Sequence, residues 1–232
     1  MNLGPADWQA LILTLELAFI STGILLVLTT PLAWWLSRGQ GWIRQVTAVI
    51  AALPLVLPPT VLGFYLLVLL SPDGFVGTVL GWLGIDNILF TFSALVLGSL
   101  VYSFPFVLQP IYNGFVQMGK APLELAQCLN TGFLATFFKI VLPICRHSFI
   151  SAFILGFAHT LGEFGVVLMI GGSVPGQTQV VSIALFEHVE TLNYASAHQL
   201  SFILLVVAFL LLLAVYRFSV SPSGILKNEK AA

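Results

Sequence analysis

Long apolar stretches separated by short polar connections set the pattern of this chain. A hydrocarbon core of about 30 Å takes about 20 helical residues to cross, and five stretches are long enough: residues 11–36, 46–70, 89–112, 140–169 and 200–216. They predict an all-α polytopic membrane protein with five spanning helices. A sixth crossing fits only if the long stretch 140–199 holds a broken or re-entrant segment. Residues 1–220 read as one transmembrane domain with no linker and no internal repeat, and 221–232 as a short tail. The apolar pattern is interrupted in the connection 113–140. There Pro122 suits a first helical turn and Gly132 the position past a helix end, while Leu125, Leu129, Phe133 and Phe137 recur every four residues along one stripe. Glu124, Gln127, Cys128 and Thr131 fall on the other side. A short polar helix wedged between two spans is a handle for another protein.

Composition excludes water as the main solvent. The chain is 59% hydrophobic and 7% charged, with mean hydropathy +1.04, against roughly 25% charged residues in soluble domains. Residues 1–8 carry Asp7 but no Lys or Arg, so the basic start of a cleaved signal peptide is missing and the first span is expected to be retained. Cys128 and Cys145 are the only cysteines, which gives no disulfide framework. Lys and Arg form no cluster, and nucleic acid drops out as a partner.

Charge also orients the spans. Arg38, Arg44, Lys120, Lys139, Arg146, Arg217, Lys227 and Lys230 all fall on one side, and Asp7, Asp73, Asp86, Glu187 and Glu190 occupy the opposite segments. The positive-inside rule then puts the N-terminus outside and the C-terminus and the polar helix in the cytoplasm. The tryptophans fit interfacial anchoring, with Trp34, Trp35 and Trp42 flanking the first inner loop and Trp8 and Trp82 outside.

Candidate chemistry is sparse. Residues 114–121 nearly spell a phosphate-binding loop, but Ala121 supplies no hydroxyl for magnesium and the segment leaves a membrane helix instead of a strand. ATP, if used, must bind to another chain. His147, His188 and His198 show no metal spacing and read as solvated or interfacial, and no cofactor is expected. Ser151 and His159 stand about two helical turns apart, too far for a nucleophile and its base. Pro54, Pro58 and Pro59 remove three backbone donors from the second span, and such a break survives in a bilayer only if it is buried or lines a wet cavity. Glu163 places a carboxylate in or near the bilayer, where ionisable groups are expensive. Two structural accounts fit it: a capping box with Thr160, or a pair with His159 four residues away. Residues 171–178 form a flexible outer turn, read equally well as an ordinary loop or as part of a gate.

Several of these strings resemble one transporter family. Glu124, Ala126, Ile140, Leu142 and Pro143 match the E-A-A-x-x-x-G-x9-I-x-L-P signature of the membrane subunits of ATP-binding-cassette importers, with Leu125 and Asn130 departing from it. The run from Leu53 to Gly63 resembles the L-P-L-V-L-P-P-x-V-x-G segment of molybdate permeases. The run Leu161, Gly162, Glu163, Phe164, Gly165 resembles their S-L-G-E-F-G block and the related block of sulfate permeases. With Ser103 and Pro105, these matches span most of the chain.

The resemblance implies a type I importer transmembrane domain in a bacterial or archaeal inner membrane, working as a homodimer with two cytoplasmic ATP-binding subunits and an extracytoplasmic oxyanion-binding protein. It implies ATPase coupling through Glu124, Leu125, Ala126, Asn130, Gly132 and Pro143. Pro58, Pro59, Thr60, Ser103, Pro105, Gly162, Glu163 and Gly165 are then expected along the pathway or gate. The implied cargo is molybdate, with tungstate, sulfate and thiosulfate as alternatives. An ATP-independent channel or secondary carrier is the rival class; it predicts mid-membrane charge relays or an inverted repeat, and the chain shows neither.

Overall fold

The computed structural model describes residues 3–82, 84, 87–128 and 131–219. Helix α1, Pro5–Ser37, opens with proline in its first turn and with the Gly4 N–H donating to Asp7 Oδ2 at 2.9 Å. At 1.5 Å per residue, 33 residues run about 50 Å, well past a hydrocarbon core of about 30 Å. Only one stripe of this apolar helix is covered by protein, through Ala10, Thr14, Leu17, Ser21, Leu25, Ala33 and Leu36. Ile12, Phe19, Val27 and Leu28 stay exposed on the other faces. Lipid is as apolar as leucine, so a packing face in a membrane is chosen by small residues that let backbones approach. Ala18, Ser21 and Thr22 supply them on α1, and Gly156 answers from a neighbour. A Cβ on Gly156 would lie 2.5 Å from Val107 and 3.3 Å from Thr22.

The chain continues through α2 (Trp42–Ala52), a 3-10 turn (Leu53–Leu55), α3 (Pro59–Leu70), α4 (Phe75–Trp82), α5 (Phe92–Tyr102) and α6 (Phe104–Met118). After these come α7 (Ala121–Cys128), α8 (Phe133–Thr136), a π-helical turn (Phe137–Val141), α9 (Leu142–Ile144), α10 (Arg146–Leu161), α11 (Gly165–Gly171), α12 (Val181–Glu190) and α13 (Tyr194–Ser219). No strand occurs among the described residues. The core gathers around α1, which packs on α5, α6, α10 and α12, while α11 sits between α3 and α5. Leu25, Val107, Ile111 and Ala152 form the part of the core nearest α6 and α10, and Leu17, Leu95, Val167 and Ile183 the part nearest α11 and α12. Helix α13 packs on α10 and α12 and leaves Phe202, Leu205, Phe209 and Tyr216 bare, the signature of a lipid-facing span.

Among the described residues three helices are long and apolar enough to cross a membrane, at Pro5–Ser37, Pro59–Trp82 and Tyr194–Phe218. Two bent pairs bring the number to five if each counts as one span. Phe92–Tyr102 with Phe104–Met118 bends by 44°, and Phe133–Ile144 with Arg146–Leu161 by 75°. The expected second span, 46–70, is not one helix. Pro54 falls in the 3-10 turn, Pro58 caps α3 with extended backbone (ψ 137°), and Pro59 opens α3, so the long apolar helix starts at Pro59. The missing N–H groups account for the cut. The expected fourth span, 140–169, is divided as well, with α10 ending at Leu161 and α11 starting at Gly165. Asp86 and the tail 221–232 lie outside the described residues.

Candidate translocation and coupling sites

Helix α7 keeps its polar face but seats itself differently from the expected stripe. Leu123 and Ala126, three residues apart, are buried, while Leu125 is 66% exposed and Phe133 67% exposed. The four-residue register cannot run from Leu125 to Phe137 because Gly132, with ψ 157°, is the extended N-cap of the next helix, α8. Gly132 therefore starts a helix instead of ending one. Leu129 and Asn130 lie outside the described residues. Thr131 ties the end of α7, with its N–H at 3.1 Å and its hydroxyl at 2.9 Å both donating to the Ala126 carbonyl. Glu124, Gln127 and Cys128 face solvent beside Leu125. Pro143 sits in α9 directly after the π-helical turn, where a residue without an N–H suits a ladder that has already shifted.

Beneath α7 lies a cleft of ≈ 340 Å³ lined by Trp34, Arg38, Leu123, Ala126, Gln127 and Phe137 among others. Trp34 is its hub. Its ring meets Phe115, Phe133 and Phe137 edge-on at 5.2, 6.2 and 6.4 Å, and the Arg38 guanidinium lies 3.7 Å above it. Interfacial anchoring alone does not describe Trp34, which joins the end of α1 to the loop. The Trp34 and Arg38 spacing of four residues on one helix face was the available signal.

The second site lies where two breaks meet. A cleft of ≈ 490 Å³ is lined by Pro59, Thr60, Tyr102, His159, Gly162, Glu163, Phe164 and Gly165. Gly165 permits the close approach, since a Cβ there would come within 2.9 Å of the Pro59 side chain. Pro58 stays on the exposed side of the α3 start. Pro105 is buried in the first turn of α6 and faces a different cavity.

Glu163 is 3% exposed and accepts a hydrogen bond from Ser99 Oγ at 2.8 Å. Its other oxygen, Oε1, has no hydrogen-bond partner among the described residues. Neither expected account of Glu163 holds. The Glu163 N–H donates to the Thr160 carbonyl at 3.3 Å instead of to its hydroxyl, which itself donates to the Gly156 carbonyl at 3.0 Å, so no capping box forms, and His159 turns to Ser103, 2.9 Å away. The cause is the end of α10 at Leu161, which takes Glu163 off the helical register of His159 and Thr160. Ser99 was invisible to reasoning from local spacing because it lies 64 residues from its partner.

Ser103 Oγ also lies 3.0 Å from Thr160 Oγ1. One assignment satisfies the whole set: Thr160 donates to the Gly156 carbonyl, Ser103 donates to Thr160, and His159 Nδ1–H donates to Ser103. The imidazole is fixed between Phe106, stacked at 3.8 Å, and Tyr102 at 4.6 Å. Ser182 Oγ donates to the Glu163 backbone carbonyl at 2.6 Å, which fastens α12 to the same break. Beyond α12, His188 Nε2 meets Asp7 Oδ1 at 2.7 Å, so this histidine is paired instead of solvated. The turn 171–178 is tied by Thr178, whose hydroxyl donates to the Gly171 carbonyl at 2.7 Å.

Residues 11–221 match the family described as binding-protein-dependent transport system inner membrane component. The chain belongs to this family. It is 50% identical over 216 residues, 93% of its length and 96% of the relative's, to the molybdenum transport system permease protein ModB of Azotobacter vinelandii. It is 29% identical, over 93% of its length and 81% of the relative's, to the probable sulfate transport system permease protein cysT of Chlorella vulgaris. Its fold resembles a bacterial alginate ABC transporter solved in complex with an alginate pentasaccharide-bound periplasmic protein, with TM-score 0.74, 18% identity, and coverage of 93% of this chain and 79% of that one.

As a binding-protein-dependent inner membrane component, the chain combines an exposed polar helix, α7, with a buried polar break that begins after Leu161, the end of α10. The cleft at the break offers the Thr60 hydroxyl, the Tyr102 phenol, one imidazole and one carboxylate, and no Lys or Arg lines it among the described residues.

Proposed function

We propose that this chain is the membrane-spanning permease subunit of an ATP-driven importer that moves an oxyanion, molybdate before others, across a bacterial or archaeal inner membrane by alternating access. Half-identity to a molybdenum permease along nearly the whole chain carries the reading. The N-terminus is outside and the C-terminus cytoplasmic, following the one-sided placement of Lys and Arg. The pathway runs along the two-fold axis of a homodimer, since one such chain has too few polar groups to enclose a dianion. A separate outer binding protein selects the oxyanion and hands it over. Two cytoplasmic ATP-binding subunits each grip one α7, with Glu124, Leu125 and Gln127 presented to a groove, and Gly132 and Pro143 shape the exit of the loop. Closure of the ATPases draws the two α7 helices together, and the Trp34 hub passes that motion to α1.

At the other end of this path, Pro59 and Thr60 from one break and Gly162, Glu163 and Gly165 from the other form a gate, with Pro58 on its exposed rim and Ser103 and Pro105 marking the α5–α6 bend beside it. Release requires weak contacts, and the gate supplies hydroxyls and backbone instead of cations. The likeness to a probable sulfate permease supports sulfate as a second reading of the cargo. Uptake of labelled molybdate, tungstate and sulfate into vesicles holding the permease, its ATPase and its binding protein decides between them. Molybdate uptake that excess sulfate does not suppress is expected; sulfate uptake with no molybdate uptake would overturn the assignment.

A further inference from the structure

Between the end of α1, the first turns of α2 and the outer face of α6 lies a cavity of ≈ 610 Å³ that the gate does not use. Its polar lining is Gln40, Arg44, Gln45, Gln109, Tyr112 and Asn113; Arg44 is its one charge and no carboxylate faces it. Arg44 is partly buried at this cavity. Its guanidinium lies 5.1 Å from the Trp35 ring, and Gly39 makes room for it, since a Cβ on Gly39 would overlap Arg44 Nη1. Arg44 Nε is buried with no hydrogen-bond partner, and no ion pair reaches this side chain among the described residues. A cation with a buried donor left unused, ringed by amides and a phenol, is chemistry for an oxyanion.

We infer that this cavity is an exit subsite for a free tetrahedral oxyanion at the inner end of the permease, with Arg44 as its anchor. The inference rests on the proposed oxyanion cargo. Its place in the fold fits an exit. Trp34 and Arg38, on the same end of α1, line the cleft under α7. Tyr102 lines the gate and Pro105 lines this cavity, so the two spaces flank Ser103 at the 44° bend between α5 and α6. One cation against a dianion in an open cavity binds weakly, as release demands.

The test is equilibrium binding of radiolabelled molybdate to the purified permease–ATPase complex in phosphatidylcholine nanodiscs, without the binding protein. Saturable binding is expected, weakened roughly tenfold or more in Arg44→Gln, as for loss of a hydrogen bond to a charged group. Arg44→Lys should weaken it less, because it keeps the charge and loses the fork. Gly39→Ala, which retains the arginine and displaces it, should also weaken binding, and it keeps the test sound if Arg44→Gln fails to assemble with the ATPase. Arg217→Gln, on the last turn of α13, should change nothing. Equal binding by wild type and Arg44→Gln would overturn the site. So would an absence of molybdate binding together with Arg44-dependent retention of phosphatidylglycerol, which would make it a lipid headgroup site. If molybdate binding is absent while the complete transporter still takes up molybdate, only the exit subsite falls; if uptake is absent too, the cargo assignment falls with it.

Discussion

The two polar regions of this permease are built by opposite means. The α7 loop is made of neighbours: Thr131 closes on Ala126 five residues away, and Thr131 meets Thr136 at 2.9 Å. The proposed gate is made of strangers, with Ser99 bonded to Glu163 across 64 residues and Ser103 to His159 across 56. A local motif can be exposed and gripped without disturbing the core. A long-range cluster holds several helices in one arrangement, so changing it changes the packing of all of them. Coupling between an ATPase and a gate needs both kinds of region, a handle that can be pulled and a junction with two settings.

Breaking the handle should have the largest effect. Ala126 is 1% exposed on the buried side of α7, and Ala126→Arg would force a charge into the cleft under Trp34. ATPase co-purification and uptake should both be lost while the spans still insert; retained co-purification and uptake would show that the handle is not gripped as proposed. Next comes the gate backbone. In Gly165→Val the new side chain meets Pro59, an overpacking of about 1–3 kcal/mol, and uptake should fall about tenfold with co-purification intact. That split sharpens the contrast between the two regions.

A smaller loss is expected for Ser99→Ala, which removes the one hydrogen bond that the Glu163 carboxyl makes among the described residues, at a cost of about 1–3 kcal/mol. Glu163→Gln should cost less, because its amide oxygen can still accept from Ser99. Thermal unfolding of the purified complex, read beside uptake, ranks the pair. The smallest effect belongs to Leu125→Ala combined with Asn130→Gly. It should leave uptake unchanged and shift stability by no more than about 0.5 kcal/mol, because it restores the alanine and glycine of the importer signature at these positions; a loss of uptake would mean that these two residues fit a particular groove.

The same contrast explains what the sequence disclosed. The apolar runs, the break at Pro54, Pro58 and Pro59, and the polar helix from Pro122 onward are local signals and could be read along the chain. The face that α7 buries could not, because Gly132 opens α8 and cuts the register at Phe133, a choice made by the packing of Phe133 and Phe137 on Trp34. Glu163 was recognisable as a group in need of a partner, but Ser99 was not recognisable as that partner, since nothing in spacing joins α5 to the break after α10. The seat of Arg44 was hidden for the same reason. Its arginine was counted for orientation, and only the fold brings it to Gln109 and Asn113.

The central claim is that α7 and the gate move together. Thr60 lines the gate cleft and is exposed, so Thr60→Cys, in a chain whose Cys128 and Cys145 are replaced by serine, gives a thiol at that point. Its labelling by a membrane-impermeant reagent from the outer side should be slow without nucleotide and rise when the ATPase pair is closed on ATP. The rise should vanish when Ala126→Arg is added. A labelling rate that is the same in every nucleotide state, with uptake intact, would contradict the account.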